Sequence, residues 1–213
     1  MKFALAAVGL LGALLVSLPC FAQYVVVQEQ EGPPVPVEVT PMGGYVFRNG
    51  VPGPGGATDI GASPAFGAAV DIGDWYGARL ELAYLLQGTD VESEPYAGPV
   101  QSLYGLTLHN FQIGGEFDIL RGRVRPFVGF TLGAALFVPS TDVPDELWFE
   151  AAFEGGAKVM LTHAVGLRAQ AQLLAIVLDP TSRIFCGNGC YVPSWGSMGT
   201  TQVALSIGPT VVF

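Results

Sequence analysis

The sequence predicts an all-β fold, an eight-stranded antiparallel up-and-down transmembrane β-barrel, and three observations predict it. Apolar and polar residues alternate with a period of two in eight successive segments between Val37 and Phe213. The connections between those segments alternate long and short, as a meander with tight turns at one rim and long loops at the other requires. Finally, 50% of the residues are hydrophobic and only 13% are charged, against about 25% charged in soluble chains, so something other than water must face the apolar surface.

The first 22 residues carry Lys2, an apolar run from Phe3 to Leu18, and Cys20-Phe21-Ala22 before Gln23. They read as a signal peptide cleaved after Ala22, because Pro19 and the small-residue exit fit a transmembrane anchor poorly. A lipoprotein signal would place a small residue where Pro19 precedes Cys20. Without Lys2 the mature chain holds 8 basic and 18 acidic side chains, a net charge of -10, which argues against nucleic acid as a partner. Residues 23–36, with Pro33, Pro34 and Pro36, read as an extended periplasmic linker, and residues 37–213 as the barrel.

Strand one covers about Val37 to Phe47, and the Gly- and Pro-rich stretch from Asn49 to Gly56 reads as a long loop. Strand two, about Ser63 to Ile72, puts Pro64, Phe66, Ala68, Val70 and Ile72 on one face, and Gly73-Asp74-Trp75-Tyr76 turns the chain. Strand three, about Gly77 to Gly88, opposes Leu80, Leu82, Tyr84 and Leu86 to Arg79, Glu81 and Gln87, and an acidic loop with Asp90, Glu92 and Glu94 follows. Strand four, about Leu103 to Leu120, opposes Phe111, Ile113 and Phe117 to Asn110, Gln112 and Glu116. Leu106 and Leu108 fall on its polar phase, so a β-bulge near His109 or Asn110 is expected to return them to the apolar face. Strand five, about Val124 to Val138, opposes Val128, Phe130 and Leu132 to Arg125 and Thr131. Strand six, about Glu146 to Leu161, opposes Phe149, Phe153 and Val159 to Glu150, Glu154 and Lys158. Strand seven, about Val165 to Leu178, opposes Leu167, Leu173 and Val177 to Arg168, Gln170 and Gln172. Strand eight, Thr200 to Phe213, alternates without interruption and ends on an aromatic carboxyl terminus.

A soluble lipocalin-like barrel would expose the charged face, and the charges are too few for that area. The apolar face is wide and almost free of ionised groups, and strands of ten or more residues cross a hydrocarbon layer at a tilt near 45°. Phe47, Trp75, Tyr76, Tyr104, Trp148, Phe149 and Phe213 are expected to form aromatic girdles.

Val39-Thr40-Pro41-Met42-Gly43-Gly44-Tyr45 at the start and Ile207-Gly208-Pro209-Thr210-Val211-Val212-Phe213 at the end resemble the small eight-stranded bacterial outer-membrane barrels of the OmpA transmembrane domain, OmpX and OmpW type. The resemblance covers nearly all of residues 37–213 and is architectural. It implies an outer-membrane location with both termini in the periplasm. It also implies contact with outer-membrane lipid and lipopolysaccharide, and recognition by the barrel assembly machinery through the C-terminal strand and its Phe213.

Eight strands enclose a space that side chains fill, or that holds one small ligand. Arg79, Glu81, Glu116, Arg125, Glu150, Glu154, Lys158 and Arg168 are therefore read as a lumen charge network. Glu81 is expected to pair with Arg79 or Arg125, and Glu154 with Lys158 or Arg168; a gated pore through the network is the alternative. Cys186 and Cys190, an even number in an exported chain, read as a disulfide closing a loop of about five residues, on the order of 2 kcal/mol in the chain-entropy account. The metal reading of that pair lacks further ligands. Tyr191 and Trp195 on that loop are candidate surface contacts. Acidic loop residues are read as solvated, with divalent cations beside lipopolysaccharide the alternative. His163 lies in a short turn opposite the long loops, and His109 has no serine two positions on, as a barrel deacylase's pattern needs, so no catalytic activity, metal or cofactor is expected. The expected role is structural or surface-interacting, with a narrow channel or carrier as the alternative.

Overall fold

In the computed structural model, which describes residues 35–53, 56–178, 184 and 198–213, the chain is all β and antiparallel. Its strands are β1 (Val37–Val46), β2 (Asn49–Gly53), β3 (Gly56–Ile60), β4 (Ser63–Trp75), β5 (Ala78–Pro95), β6 (Gln101–Asp118), β7 (Val124–Pro139), β8 (Glu146–Met160), β9 (Val165–Leu178) and β10 (Met198–Val212). β1 and β4 to β10 form a ring, closed by the β5–β6 pairing and by β1 against β10 from Glu38↔Val212 to Val46↔Ala204. Phe213 completes the seam: its N–H donates to Val37 O at 2.9 Å, and Val37 N–H donates back to Phe213 O at 3.4 Å. Thr40 and Thr210 hydroxyls, 2.7 Å apart, bridge the same seam inside the barrel.

The ladder is staggered. Followed once round the ring from Gln202, through Leu174, Ala152, Thr131, Gly114, Glu81, Asp71 and Glu38, it returns to β10 at Val212, ten residues further along. That shear gives the strands their tilt, typically about 35–45° in such barrels. Inward glycines let the strands coil this tightly: a Cβ on Gly208 would stand 1.8 Å from Pro41 O, and one on Gly133 1.9 Å from Phe111 O.

The outer face is apolar throughout the ring. Phe66, Leu82, Phe111, Phe130, Phe153, Leu173, Leu205 and Ile207 are all exposed, while alternate residues are buried inside. A soluble protein does not expose so wide and continuous an apolar belt, so lipid is its solvent. The described residues hold no helix long and apolar enough to cross a membrane.

The structure corrects several sequence expectations. The stretch expected as a loop from Asn49 to Gly56 instead contains β2 and the start of β3, which pair with each other, and β3 pairs with the upper part of β5 from Gly56↔Pro95 to Ile60↔Val91. Asp90, Glu92 and Glu94 accordingly lie within β5, where Arg48 draws in Asp59, Glu92 and Glu94 at 2.7, 3.1 and 3.5 Å. The first turn sits later than expected, at Tyr76-Gly77, where both residues have positive φ and Asp74 Oδ1 accepts from Gly77 N–H at 2.8 Å.

No bulge occurs near His109 or Asn110; the β5–β6 register is continuous there and shifts only at Val91/Glu92. Leu106 and Leu108 therefore stay on the inner phase, because the upper lumen is apolar and accepts them. Tyr104 and Trp148 also turn inward against that cluster rather than joining a girdle, with Tyr104 Oη donating to Ile184 O at 2.9 Å. Phe47, Trp75, Tyr76, Phe149 and Phe213 are exposed as expected. The signal peptide, residues 23–34 of the linker, Cys186, Cys190, Tyr191 and Trp195 lie outside the described residues.

Candidate functional site in the lumen

Period-two alternation turns Arg79 and Glu81 of β5, Glu116 and Asp118 of β6, Glu154 and Lys158 of β8, and Arg168 of β9 into the barrel, where all are buried. The stagger brings these strands' inner residues together at the end of the barrel that carries Val37, Phe213 and the short turns. Lys158, wholly buried, donates to Glu38 Oε2 and Asp71 Oδ2 at 2.8 Å each and to Glu116 Oε1 at 2.6 Å. Arg168, also wholly buried, donates to Asp71 Oδ2 at 3.0 Å, Glu81 Oε2 at 2.7 Å and Glu154 Oε1 at 3.2 Å, with Glu116 Oε2 3.1 Å from its Nη1. Its guanidinium carbon lies 4.5 Å from the centroid of the buried Phe127 ring, and Lys158 Nζ lies 5.4 Å from it, so the ring face carries part of the positive charge. Arg79 holds Asp118 at 2.8 Å, Glu116 at 3.2 Å and Glu38 at 3.4 Å. Arg125, partly exposed at the rim, reaches Glu38 at 3.1 Å.

The expected pairs form in part: Glu154 meets Arg168, one of its two expected partners, whereas Glu81 meets neither of its own. Glu81 pairs with Arg168, not with Arg79 or Arg125, because the stagger carries Arg168 across the lumen to it. Glu154 pairs with Arg168, while Lys158 turns to Glu38, Asp71 and Glu116. Sequence reasoning missed Glu38, Asp71 and Asp118 as partners, although each occupies the inner phase of its strand, Glu38 between Val37 and Val39 and Asp71 between Val70 and Ile72. Carboxylate oxygens of Asp71, Glu81 and Glu116 lie within 4.8 Å of one another. Lys158 and Arg168 already bring positive charge to these three carboxylates, so the cluster is an ion-paired floor.

Above the floor lies an amide layer. Gln112 Nε2 donates to Glu150 Oε1, while Gln112 Oε1 accepts from Thr131 at 3.2 Å and from Gln172 at 2.8 Å. Among the described residues Glu150 thus joins a hydrogen-bond network and no ion pair. Higher still, Ile60, Val91, Leu106, Leu108, Ala135, Phe137, Ile176 and Ile184 form a buried apolar ceiling. The lumen is filled in three storeys: ions, amides and hydrocarbon.

His109 lies on the outer side of β6, its Nδ1 2.9 Å from Tyr84 Oη, with Phe111 packed on the same tyrosine. No carboxylate, serine or second histidine completes a catalytic arrangement around it among the described residues.

No protein-family model and no curated protein sequence matches the chain. Solved structures do. Neisserial surface protein A is similar over 83% of this chain and 96% of its own, at 14% identity and a TM-score of 0.52. Outer membrane protein OprG from Pseudomonas aeruginosa is similar over 84% and 96%, at 9% identity and 0.57. Outer membrane protein AlkL is similar over 83% and 90%, at 14% identity and 0.53. At such identities the likeness is one of fold, and it agrees with the ring, the tilt and the apolar belt: the chain has the fold of the small eight-stranded outer-membrane β-barrels.

Proposed function

We propose that this chain is a closed barrel of the bacterial outer membrane, with a structural or surface-interacting role exerted from its long-loop rim and with no catalytic activity. The lumen carries the proposal. An ion-paired floor and an apolar ceiling leave a permeating ion to break buried salt bridges at one level and to shed its water among leucine, isoleucine and phenylalanine at the next. The connections support an orientation in which the rim shared by the short turns, Val37 and Phe213 faces the periplasm and the long connections face outward. The apolar belt meets outer-membrane lipid and lipopolysaccharide, and the β10 strand ending in Phe213 is the element offered to the barrel assembly machinery. Neisserial surface protein A, similar in fold, is a surface protein by name, in keeping with a role outside the membrane.

Planar-bilayer recording of the purified, folded protein tests the proposal. The expected result is a silent membrane; stable, ion-selective conductance overturns it in favour of a narrow channel.

A further inference from the structure

The ionic floor and the apolar ceiling are separated by a ring of side chains in which polar groups with unmet hydrogen-bonding capacity stand among the apolar Val46, Ala65, Leu85 and Leu174. Asn110 and Gln202 are wholly buried, and neither the nitrogen nor the oxygen of either side-chain amide has a partner. Glu150 is wholly buried and its Oε2 has none. Its only hydrogen-bond donor among the described residues is Gln112, and no lysine, arginine or histidine pairs with it.

The stagger of the barrel puts these three at one height. The ladder falls ten residues in eight strands, so two strands away the residue at equal height lies about two to three positions above the ladder partner. From Gln202 the ladder leads through Leu174 to Ala152, and Glu150 is two positions above Ala152. From Glu150 it leads through Gly133 to Gln112, and Asn110 is two positions above Gln112. β6, β8 and β10 follow one another at every second place around the ring, so the three side chains enter the lumen from half of its circumference. Leu108 and Ile176 close the space above, and Leu85 and Leu174 line the wall just below.

Unpartnered buried amides are costly, and an unpaired buried carboxylate more so. What the ring offers is hard oxygen: one carboxylate oxygen and two amide carbonyls. One negative charge asks for one positive charge, and so few protein oxygens suit an ion that retains water rather than calcium, which takes 6–8 oxygens. We propose that Glu150, Asn110 and Gln202 hold one partly hydrated alkali cation inside the barrel, its water accepting from Asn110 Nδ2 and Gln202 Nε2. The site lies below the ceiling, to which the β9–β10 connection itself contributes Ile184.

Thermal unfolding of the folded, detergent-solubilised protein, followed by the gel mobility of unboiled samples, tests this in sodium, potassium and choline chloride at matched ionic strength. The wild type is expected to unfold about 5 °C or more higher in an alkali chloride than in choline chloride. Glu150→Gln is expected to abolish that difference while remaining folded in choline, because it removes a buried charge; Gln202→Leu is expected to reduce it. Crystals grown in rubidium chloride should show an anomalous peak between Glu150, Asn110 and Gln202. Equal midpoints in all three salts, an undiminished alkali effect in Glu150→Gln, stabilisation by calcium but not by alkali ions, or a rubidium peak confined to the floor would each overturn the proposal.

Discussion

Removing the Arg168 guanidinium leaves several buried carboxylates without their cation. Arg168→Met keeps the length and the packing on Phe127 but strips the cation from Asp71, Glu81 and Glu154, leaving Lys158 to face a crowd of carboxylates. Breaking a buried pair by removing one partner costs about 3–5 kcal/mol, most of it from the charges left behind rather than from the bonds lost. The cost should therefore fall when those charges are removed too. Arg168→Met combined with Glu81→Gln and Glu154→Gln should recover more than half of the loss, since neutral amides do not need the guanidinium. The assay is urea unfolding in lipid vesicles, read by tryptophan fluorescence and by the mobility of unboiled samples. An Arg168→Met barrel within about 0.5 kcal/mol of wild type, or a triple variant no more stable than the single one, would refute the reasoning.

Two further perturbations probe other levels of the structure. Phe130→Arg places a charge on the outer belt of β7, 53% exposed in the structure; near the bilayer midplane it should cost about 2–4 kcal/mol in vesicle unfolding, whereas a change below about 0.5 kcal/mol would mean that this face is not in lipid. Arg48→Ala releases Asp59, Glu92 and Glu94 from their shared cation and should speed proteolytic cleavage within the β2–β3 hairpin while the barrel's unfolding midpoint stays put; unchanged cleavage would show that the hairpin does not need the clamp.

The ring was legible because its signal is binary. Wherever lipid lies on one side and packed side chains on the other, the period of two survives in the sequence, and Thr200 to Phe213 shows it without a fault. Legibility failed where that contrast fails. Toward the long-loop rim the outer face of β5 turns acidic, so Asp90, Glu92 and Glu94 alternate inside a strand yet read as a loop. In the upper lumen the inner face is apolar, so Leu106 and Leu108 looked out of phase and prompted a bulge that the chain does not have. The glycines and prolines of residues 49–56 masked a hairpin, since turn-forming composition says nothing of the sheet edge offered by the top of β5. Which charges lie inside was readable from phase; which of them meet was not. Partners such as Arg168 and Glu81 are fixed by the stagger of the whole ring, a global quantity that no local pattern encodes.

That stagger also explains why so many charges are kept inside a structure that hydrocarbon side chains could fill. A lipid-facing belt of valine, leucine and phenylalanine is tolerant of slippage, because sliding one strand past its neighbour by two residues returns another apolar residue to the lipid. The ionic floor is not tolerant. Sliding β1 two residues against β10 and β4 would move Glu38 by some 6–7 Å and take it out of reach of Lys158, Arg79 and Arg125, which now lie 2.8, 3.4 and 3.1 Å from its carboxylate. The same step would part the Thr40 and Thr210 hydroxyls and drive the backbone around Gly208, where no Cβ fits, against larger neighbours. Arg168 ties β9 to β4, β5 and β8 in the same way, across the lumen rather than along the ladder. Buried charges contribute little net stability once their desolvation is counted, but here they raise the energy of every misregistered ring. A barrel whose outside cannot count residues is held in register from within.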